Sequence, residues 1–398
     1  MSRQWKFAAA LAAVATAAAV APAVIMAPPA AAGPPGWALQ TTQSPASTLG
    51  SPLQAVSCPS ATACLAVGFD KQLSHRYLAN AEAWNGTNWA IVTPGEPPSA
   101  GLSNLAAVSC TSATACTAVG YYKDFFGTHP LAERWNGTGW TVQLPPSPAG
   151  STQAELAGVS CVSATACTTV GWSVNTSTGS IKDLAEFWDG SNWTIQATQA
   201  AFSKIDYALN AVSCSSAADC LAVGHYVSHF STGQRIATWA EHWNGSNWSG
   251  VLPDVASSYY NDLLGVSCTA ATACTAVGYS HDLGGMNFPL AERWNGTSWT
   301  MQFPEFPASS SGTVLNGVSC ASATACMAVG DAAPPIPGVS SVTLAESWDG
   351  ASWTLGSPLE RGPDNSLGGV SCPSAAVCTA VGWWDATGTE EPLAERYS

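Results

Sequence analysis

The chain has 398 residues, with 12 Lys and Arg against 26 Asp and Glu, for a formal charge of −14 at pH 7. An acidic excess of this size repels nucleic acid and anionic membrane surfaces, which excludes both as partners. Charged residues are only 10% of the sequence and hydrophobic ones 46%, a balance suited to sheets packed on both faces that expose mainly loops.

Residues 1–32 read as an export signal: Arg3 and Lys6, a long Ala and Val run, then Ala30-Ala31-Ala32 as a small-residue cleavage site. Phe7 to Ala27 is about long enough to span a bilayer, but Ala is weakly apolar and Pro22 interrupts the run, so cleavage is expected in place of an anchor. Cleavage removes two cations and no anions, leaving 10 minus 26, or −16. The expected mature product is extracellular, of bacterial type, and forms one domain over 33–398.

That domain is repetitive. LAERWNGTSWT, Leu290 to Thr300, returns in close copies about every 52 residues. In the second copy the unit runs through LAAVSC from Leu105, ACTAVGYY from Ala115, PLAERWNG from Pro130 and WTVQLP from Trp140. All four are strand-like, rich in Val, Thr, Tyr and Trp and bounded by Gly, Pro, Asn or Ser. Seven units are counted from Val-Ser-Cys, and successive copies lie 51 to 54 residues apart.

Four strands per unit at this period predict an all-β fold, a seven-bladed β-propeller, with a solenoid as the competitor. The chain ends favour the ring. The seventh unit stops at Leu393 to Ser398 without a fourth strand, while Gly36-Trp37-Ala38-Leu39-Gln40 reads as a fourth strand with no repeat before it. The N-terminal strand is therefore expected to close the last blade and leave no unpaired edge.

The order of strand, Gly-ending second strand, third strand and Trp-opened fourth strand resembles kelch-type propellers across all seven units. Kelch units usually end the second strand with a Gly pair, whereas Val67-Gly68 and Val119-Gly120 supply one Gly here. The Val-Ser-Cys, Ala-Val-Gly and Trp-Asn-Gly-x-x-Trp pattern is similar to a group of secreted actinobacterial repeat proteins of unassigned function.

Every unit carries Cys-x5-Cys, and an exported chain with 14 cysteines implies a disulfide framework. The simplest pairing is within units: Cys58 with Cys64, Cys110 with Cys116, Cys161 with Cys167, Cys214 with Cys220, Cys268 with Cys274, Cys320 with Cys326, and Cys372 with Cys378. Zinc sites want ligands two to four apart and usually His, so no metal or other cofactor is expected.

Glu recurs mid-way through the third strand as Glu82, Glu133, Glu186, Glu241, Glu292, Glu346 and Glu395. A carboxylate ring could be catalytic or bind cations. The simpler expectation is structural, each Glu accepting hydrogen bonds from a neighbouring strand or an indole within its own blade, because catalysis needs groups with distinct roles. Six units continue with Trp-Asn-Gly or Trp-Asp-Gly and a second Trp, a hairpin turn between packing tryptophans. Turn chemistry also accounts for the Asn-x-Ser/Thr triplets at Asn85, Asn136, Asn244 and Asn295.

In an up-and-down blade the first and third turns share one face, and their sequences hardly vary. The opposite face has individual segments, such as Phe69 to Ala81, Tyr121 to Pro130, His225 to Thr238 and Tyr279 to Pro289, read as recognition loops. After the second-strand Gly stand Phe69, Tyr121, Trp172, His225, Tyr279, Asp331 and Trp383, with Tyr122, Trp384, Tyr259 and Tyr260 nearby. This aromatic rim suits sugar stacking, so the expected function is a non-catalytic, monomeric module that binds a glycan or cell-wall component.

An extracellular protein partner or a purely structural surface ring is the alternative, and capping of blade packing is the plain reading of the same rings. A sialidase-like glycoside hydrolase is a further alternative, but the Asp-box fails at its defining residue, where Trp84 or Trp135 stands in place of Asp. The copper-oxidase relatives of kelch proteins need a Tyr linked to a spare Cys, and none is spare. His225 and His229 have metal-like spacing but form a lone pair in a loop.

Overall fold

The Val- and Thr-rich runs become strands because each alternates between two blade faces that are both covered. In the second unit these are Leu102–Ser112, Ala115–Lys123, Thr128–Trp135 and Trp140–Gln143, an antiparallel meander. This computed structural model describes residues 36–45, 48–98, 100–199, 205–230, 233–253, 260–282, 284–308, 310–385 and 388–398, so the expected export signal lies outside the described residues. Pro35–Ser398 forms one compact unit. Its 28 strands make seven four-stranded blades, numbered one to seven in chain order, and the protein is a β-propeller. Single parallel bridges, Gln153 to Thr128, Ile236 to Tyr260, Gly50 to Glu390 and Ser341 to Asp364, link neighbouring blades at four junctions.

Trp37–Gln40 pairs with Glu390–Tyr397 in the register Trp37↔Tyr397 to Gln40↔Ala394 and supplies the outer strand of blade seven. Trp37 packs on Tyr397 with ring centroids 5.5 Å apart. The same segment reaches blade one, where Gln40 Oε1 accepts from Trp89 Nε1 at 2.8 Å.

The core lies between blades. Val119 and Ala132 of blade two pack against Ala154, Leu156 and Leu184 of blade three, all nearly inaccessible. A second-strand Gly makes this approach feasible: a Cβ on Gly120 would meet the Asn104 carbonyl oxygen at 2.0 Å, and one on Gly171 that of Glu155 at 1.9 Å. No side chain fits there, which gives the single Gly its role.

Cysteines stand directly opposite in the first hairpins, as in Cys110↔Cys116. All seven intra-unit disulfides are present, with S–S distances from 2.03 to 2.08 Å. They suit an oxidising compartment. Replacing one pair by Ala, for example C110A/C116A, should cost about 2 kcal/mol by the loop-closure model. Denaturant unfolding of that variant beside the wild type checks this, and an unchanged midpoint would mean the hairpin is held without its cross-link.

Two expectations need correction. Segments read as loops on the varied face are largely strand: His225 to Thr238 belongs to a ladder running through Tyr226↔Ala237, Val227↔Ile236 and Ser228↔Arg235. Aromatic and β-branched residues at alternate positions extend the hairpin beyond the repeat consensus.

The seven glutamates are fully buried, 0% exposed, and five of them accept from a backbone N–H of the linker leaving the preceding blade, in place of the expected strand or indole of their own blade. Gly95 N donates to Glu133 Oε2 at 2.7 Å, Glu305 N to Glu346 Oε2 at 2.8 Å and Leu359 N to Glu395 Oε2 at 2.8 Å. Gln43 N serves Glu82 at 3.1 Å and Gln199 N serves Glu241 at 3.2 Å. Trp239 adds an indole donor from Glu241's own blade, 3.3 Å away. Each linker donor stands six residues after the Trp opening its outer strand. After Trp140 that position is Pro146, which has no N–H, and both oxygens of Glu186 are left without a partner.

Candidate functional site at the channel mouth

Every first strand is bulged just after its buried Leu, as between Leu156 and Gly158 or Leu209 and Ala211. The extra residue turns toward the propeller axis. Gln54, Asn210 and Asn316 project there among Ala, Gly and Val, lining an axial cavity of about 180 Å³.

One residue before the Leu, the first strand reaches the varied face, and the blades differ. That position holds Asn104, Glu155, Asp262 and Ser366 in blades two, three, five and seven. Opposite it in the second strand is the residue after the Gly: Tyr121↔Asn104, Trp172↔Glu155, Tyr279↔Asp262 and Trp383↔Ser366. Tyr121 shares a strand face with Val119, which is buried against the next blade, so the post-Gly side chain turns to that neighbour.

Polar pairs therefore form across blade junctions around the mouth. His225 Nδ1 lies 3.1 Å from Asp262 Oδ2, and Asn210 Nδ2 donates to Asp262 Oδ1 at 2.8 Å. Ser366 Oγ donates to Asp331 Oδ1 at 2.8 Å, and within blade six Asn316 Nδ2 donates to the same oxygen at 3.1 Å. The Tyr121 phenol is raised by burial and, to a lesser degree, by Glu155 of the next blade.

Burial pushes the Glu155 carboxyl up. It does the same for Asp331, although the Ser366 and Asn316 hydrogen bonds oppose it. Burial lowers His225, but the hydrogen bond and charge of Asp262 outweigh it, so its pKa is raised overall. The Tyr279 phenol is raised by burial and by Asp262. The mouth thus holds carboxyl, imidazole, amide and phenol groups in distinct environments, an asymmetry the repeated glutamates lack.

Of the residues expected at the rim, Phe69, Tyr121, Trp172, His225, Tyr279, Asp331 and Trp383 are all half-buried at the mouth end of their blades. Phe69 meets Tyr77 edge-on at 5.2 Å. Tyr122 and Trp384 lie on the other strand face: Tyr122 packs in the core shared with blade one and 5.1 Å from the His129 ring, and Trp384 has the Arg361 guanidinium 5.7 Å from its own. Tyr260 stands edge-on to His281 at 5.6 Å. Tyr259 and the His229 side chain lie outside what is described. Among the described residues there is no group of three or more His, Cys, Asp or Glu placed to hold a metal.

Sequence reasoning passed over Asn104, Glu155, Asn210, Asp262, Asn316 and Ser366. Their signal was the contrast between a Leu that recurs in every first strand and flanking positions that change from unit to unit.

No protein-family model matches the chain, and no curated protein matches it in sequence. Solved structures do match in fold. A polysaccharide lyase described as a PL25 ulvan lyase is 9% identical with a TM-score of 0.53, over 86% of this chain and 93% of that one. A Trypanosoma rangeli sialidase in complex with sialic acid is 9% identical at TM-score 0.45, over 78% and 55% of the two chains. A mutant of AofleA from Arthrobotrys oligospora is 11% identical at TM-score 0.46, over 77% and 86%. At 9% identity and a TM-score of 0.53, the likeness to the lyase concerns the propeller fold alone.

Proposed function

We propose that the protein is a secreted, monomeric, glycan-binding propeller whose mature domain spans about 33–398 and whose ligand seats at the channel mouth. One observation carries this reading: around the mouth, half-buried ring side chains are interleaved with hydrogen-bonded polar pairs from adjoining blades. Rings offer stacking surfaces to sugar C–H faces, while the amide, carboxyl and imidazole groups set orientation. The polysaccharide lyase that matches in fold is named for a carbohydrate substrate, which is compatible with this reading. Glu155, Asp262 and Asp331 at the mouth disfavour anionic sugars, so the ligand class is a neutral or amino glycan.

The test is a glycan and cell-wall pull-down with the wild type beside Tyr121→Ala, Trp172→Ala and Trp383→Ala. Each substitution should weaken binding by about tenfold, a loss of about 1.4 kcal/mol. If walls are bound and all three variants bind them unchanged, the ligand is held elsewhere. A single tight site for a secreted protein would favour the protein-interaction alternative.

A second reading, hydrolysis of the bound glycan, is favoured by the unlike carboxyls at the mouth, since burial raises the half-buried Glu155 carboxyl, the direction that a general acid requires. Turnover on a chromogenic glycoside panel, lost in Glu155→Gln with binding retained, would establish it; the binding reading expects no turnover.

A further inference from the structure

The turn face opposite the mouth has the least varied loops, yet one position on it divides the blade junctions into plugged and open ones. The third-strand residue just before the closing aromatic is Arg134, Arg293 and Arg396 in blades two, five and seven, but Ala83 and Ser347 in blades one and six. The three arginines behave alike. Arg134 Nη2 donates to the Ala164 carbonyl of the next blade at 2.5 Å, Arg293 Nη2 to Ala323 at 2.7 Å and Arg396 Nη2 to Ala61 at 2.7 Å. Two of the guanidinium groups lie over the next blade's indole, Arg134 at 5.1 Å from Trp188 and Arg293 at 5.0 Å from Trp348.

The indoles record the exchange. In the blades that receive an Arg, the Nε1 of Trp84, Trp188 and Trp348 has no hydrogen-bond partner. Where no Arg arrives, Trp135 Nε1 donates to Ala113 O at 3.3 Å and Trp243 Nε1 to Ala217 O at 3.2 Å. A guanidinium therefore takes the first-turn carbonyl from the indole, and Arg134 and Arg293 also cover its ring.

Blades three and four carry Phe187 and His242 at this position, the latter with its ring 6.4 Å from Trp294. Ala83 and Ser347 are too short to fill the space, and a cavity opens at both junctions. The one between blades one and two, about 130 Å³, is lined by Ala83, Ala113, Trp135 and the Cys110–Cys116 bridge. The one between blades six and seven, about 80 Å³, is lined by Ser347, Ala375, Tyr397 and the Cys372–Cys378 bridge. Both exceed the ~10–15 Å³ that one water requires.

We propose that these two cavities are arginine sockets, each taking the guanidinium of an arginine side chain presented by a basic extracellular partner protein. The incoming group stacks on Trp135 or Tyr397 and donates to the Ala113 or Ala375 carbonyl, as Arg134 does within the chain. The three filled copies define the chemistry: a planar cation with in-plane N–H donors, which an ammonium does not reproduce. The chain's charge of −14 draws a basic partner to it. This inference is independent of the glycan reading, since it concerns the other face.

The experiment titrates the full secreted chain with N-acetylarginine amide, following indole N–H resonances by NMR. N-acetylcitrulline amide, N-acetyllysine amide and a neutral oligosaccharide set serve as comparisons. The Trp135 indole should shift with the arginine compound and at least tenfold less with the others. Ala83→Arg should abolish that response, Ala83→Arg with Ser347→Arg should remove all binding on this face, and Arg134→Ala should create a new response at Trp188.

Equal response to citrulline, binding that survives the double Arg variant, or a Trp135 response to oligosaccharide alone would overturn the proposal. If the double variant fails to fold, Arg134→Ala decides by itself: a Trp188 indole unmoved by the arginine compound would refute the socket.

Discussion

Deleting residues 36–43 is expected to destabilise the propeller by about 5 kcal/mol or more and to broaden its unfolding transition. The segment contributes four cross-strand pairs to blade seven, from Trp37↔Tyr397 to Gln40↔Ala394. It also ties the ring across the seam: Thr42 Oγ1 donates to Pro392 O at 2.9 Å, Gln40 accepts from Trp89, and Gln43 N donates to Glu82. Hydrogen bonds net about 1 kcal/mol each, and the packing of Trp37 on Tyr397 adds about 2 kcal/mol. Loss of the donor to Glu82 adds to the damage, because that carboxyl is fully buried. Whole-domain stabilities are typically ~5–15 kcal/mol, so a deletion of this size should be plain in thermal and denaturant unfolding. A truncated chain that unfolds at the wild-type midpoint would show that the ring does not depend on this closure.

Stability should fall as pH rises from about 4.5 toward 9, through the buried glutamates. Burial pushes Glu82, Glu346 and Glu395 up to about 7, and Glu133 and Glu186 to about 8. Glu241 is raised by burial and by the neighbouring Asp183 carboxyl. Each folded-state pKa lies above the ordinary Glu value of 4.5, so the folded chain holds more protons than the unfolded one across this window. Stability is then fully present below about 4.5 and is lost as pH rises through the folded values.

Glu186 should weigh most per residue, since Pro146 denies it the linker N–H that its counterparts receive. Glu186→Gln is expected to exceed the wild type by on the order of 3 kcal/mol at pH 8.5 and to match it near pH 5. Pro146→Ala, which restores a donor, should flatten the slope without changing the carboxyl. Denaturant midpoints at several pH values decide this, and parallel curves for wild type and Glu186→Gln would mean that the carboxyl is compensated in solution.

Much of the fold was open to reading because a propeller repeats its instructions. Cys-x5-Cys brings both cysteines together across a short hairpin, directly opposite in five units, and all seven bridges form within their units. The spare strand at Trp37 and the missing strand after Tyr397 are complementary edges, so the closure was legible too. The glutamates were legible as buried groups that must be paired, but not in the source of their partners. Linker N–H groups carry no side-chain signature, and only Pro146, through its missing N–H, marks that position in sequence.

The amino-acid sequence by itself determined the seven blades, the cross-links and the face on which the units diverge, because strand pattern, turn chemistry and cysteine spacing are local and repeat with fixed register. Tertiary structure alone decided which side chains meet. The post-Gly residue turns toward the next blade, so His225 finds Asp262 and Asp331 finds Ser366 some 35 residues or more away. On the opposite face, the same inter-blade crossing lets Arg134 fill the junction ahead of it while Ala83 leaves one open. Such encounters depend on how rigid sheets stack around an axis, and that geometry is a property of the closed ring.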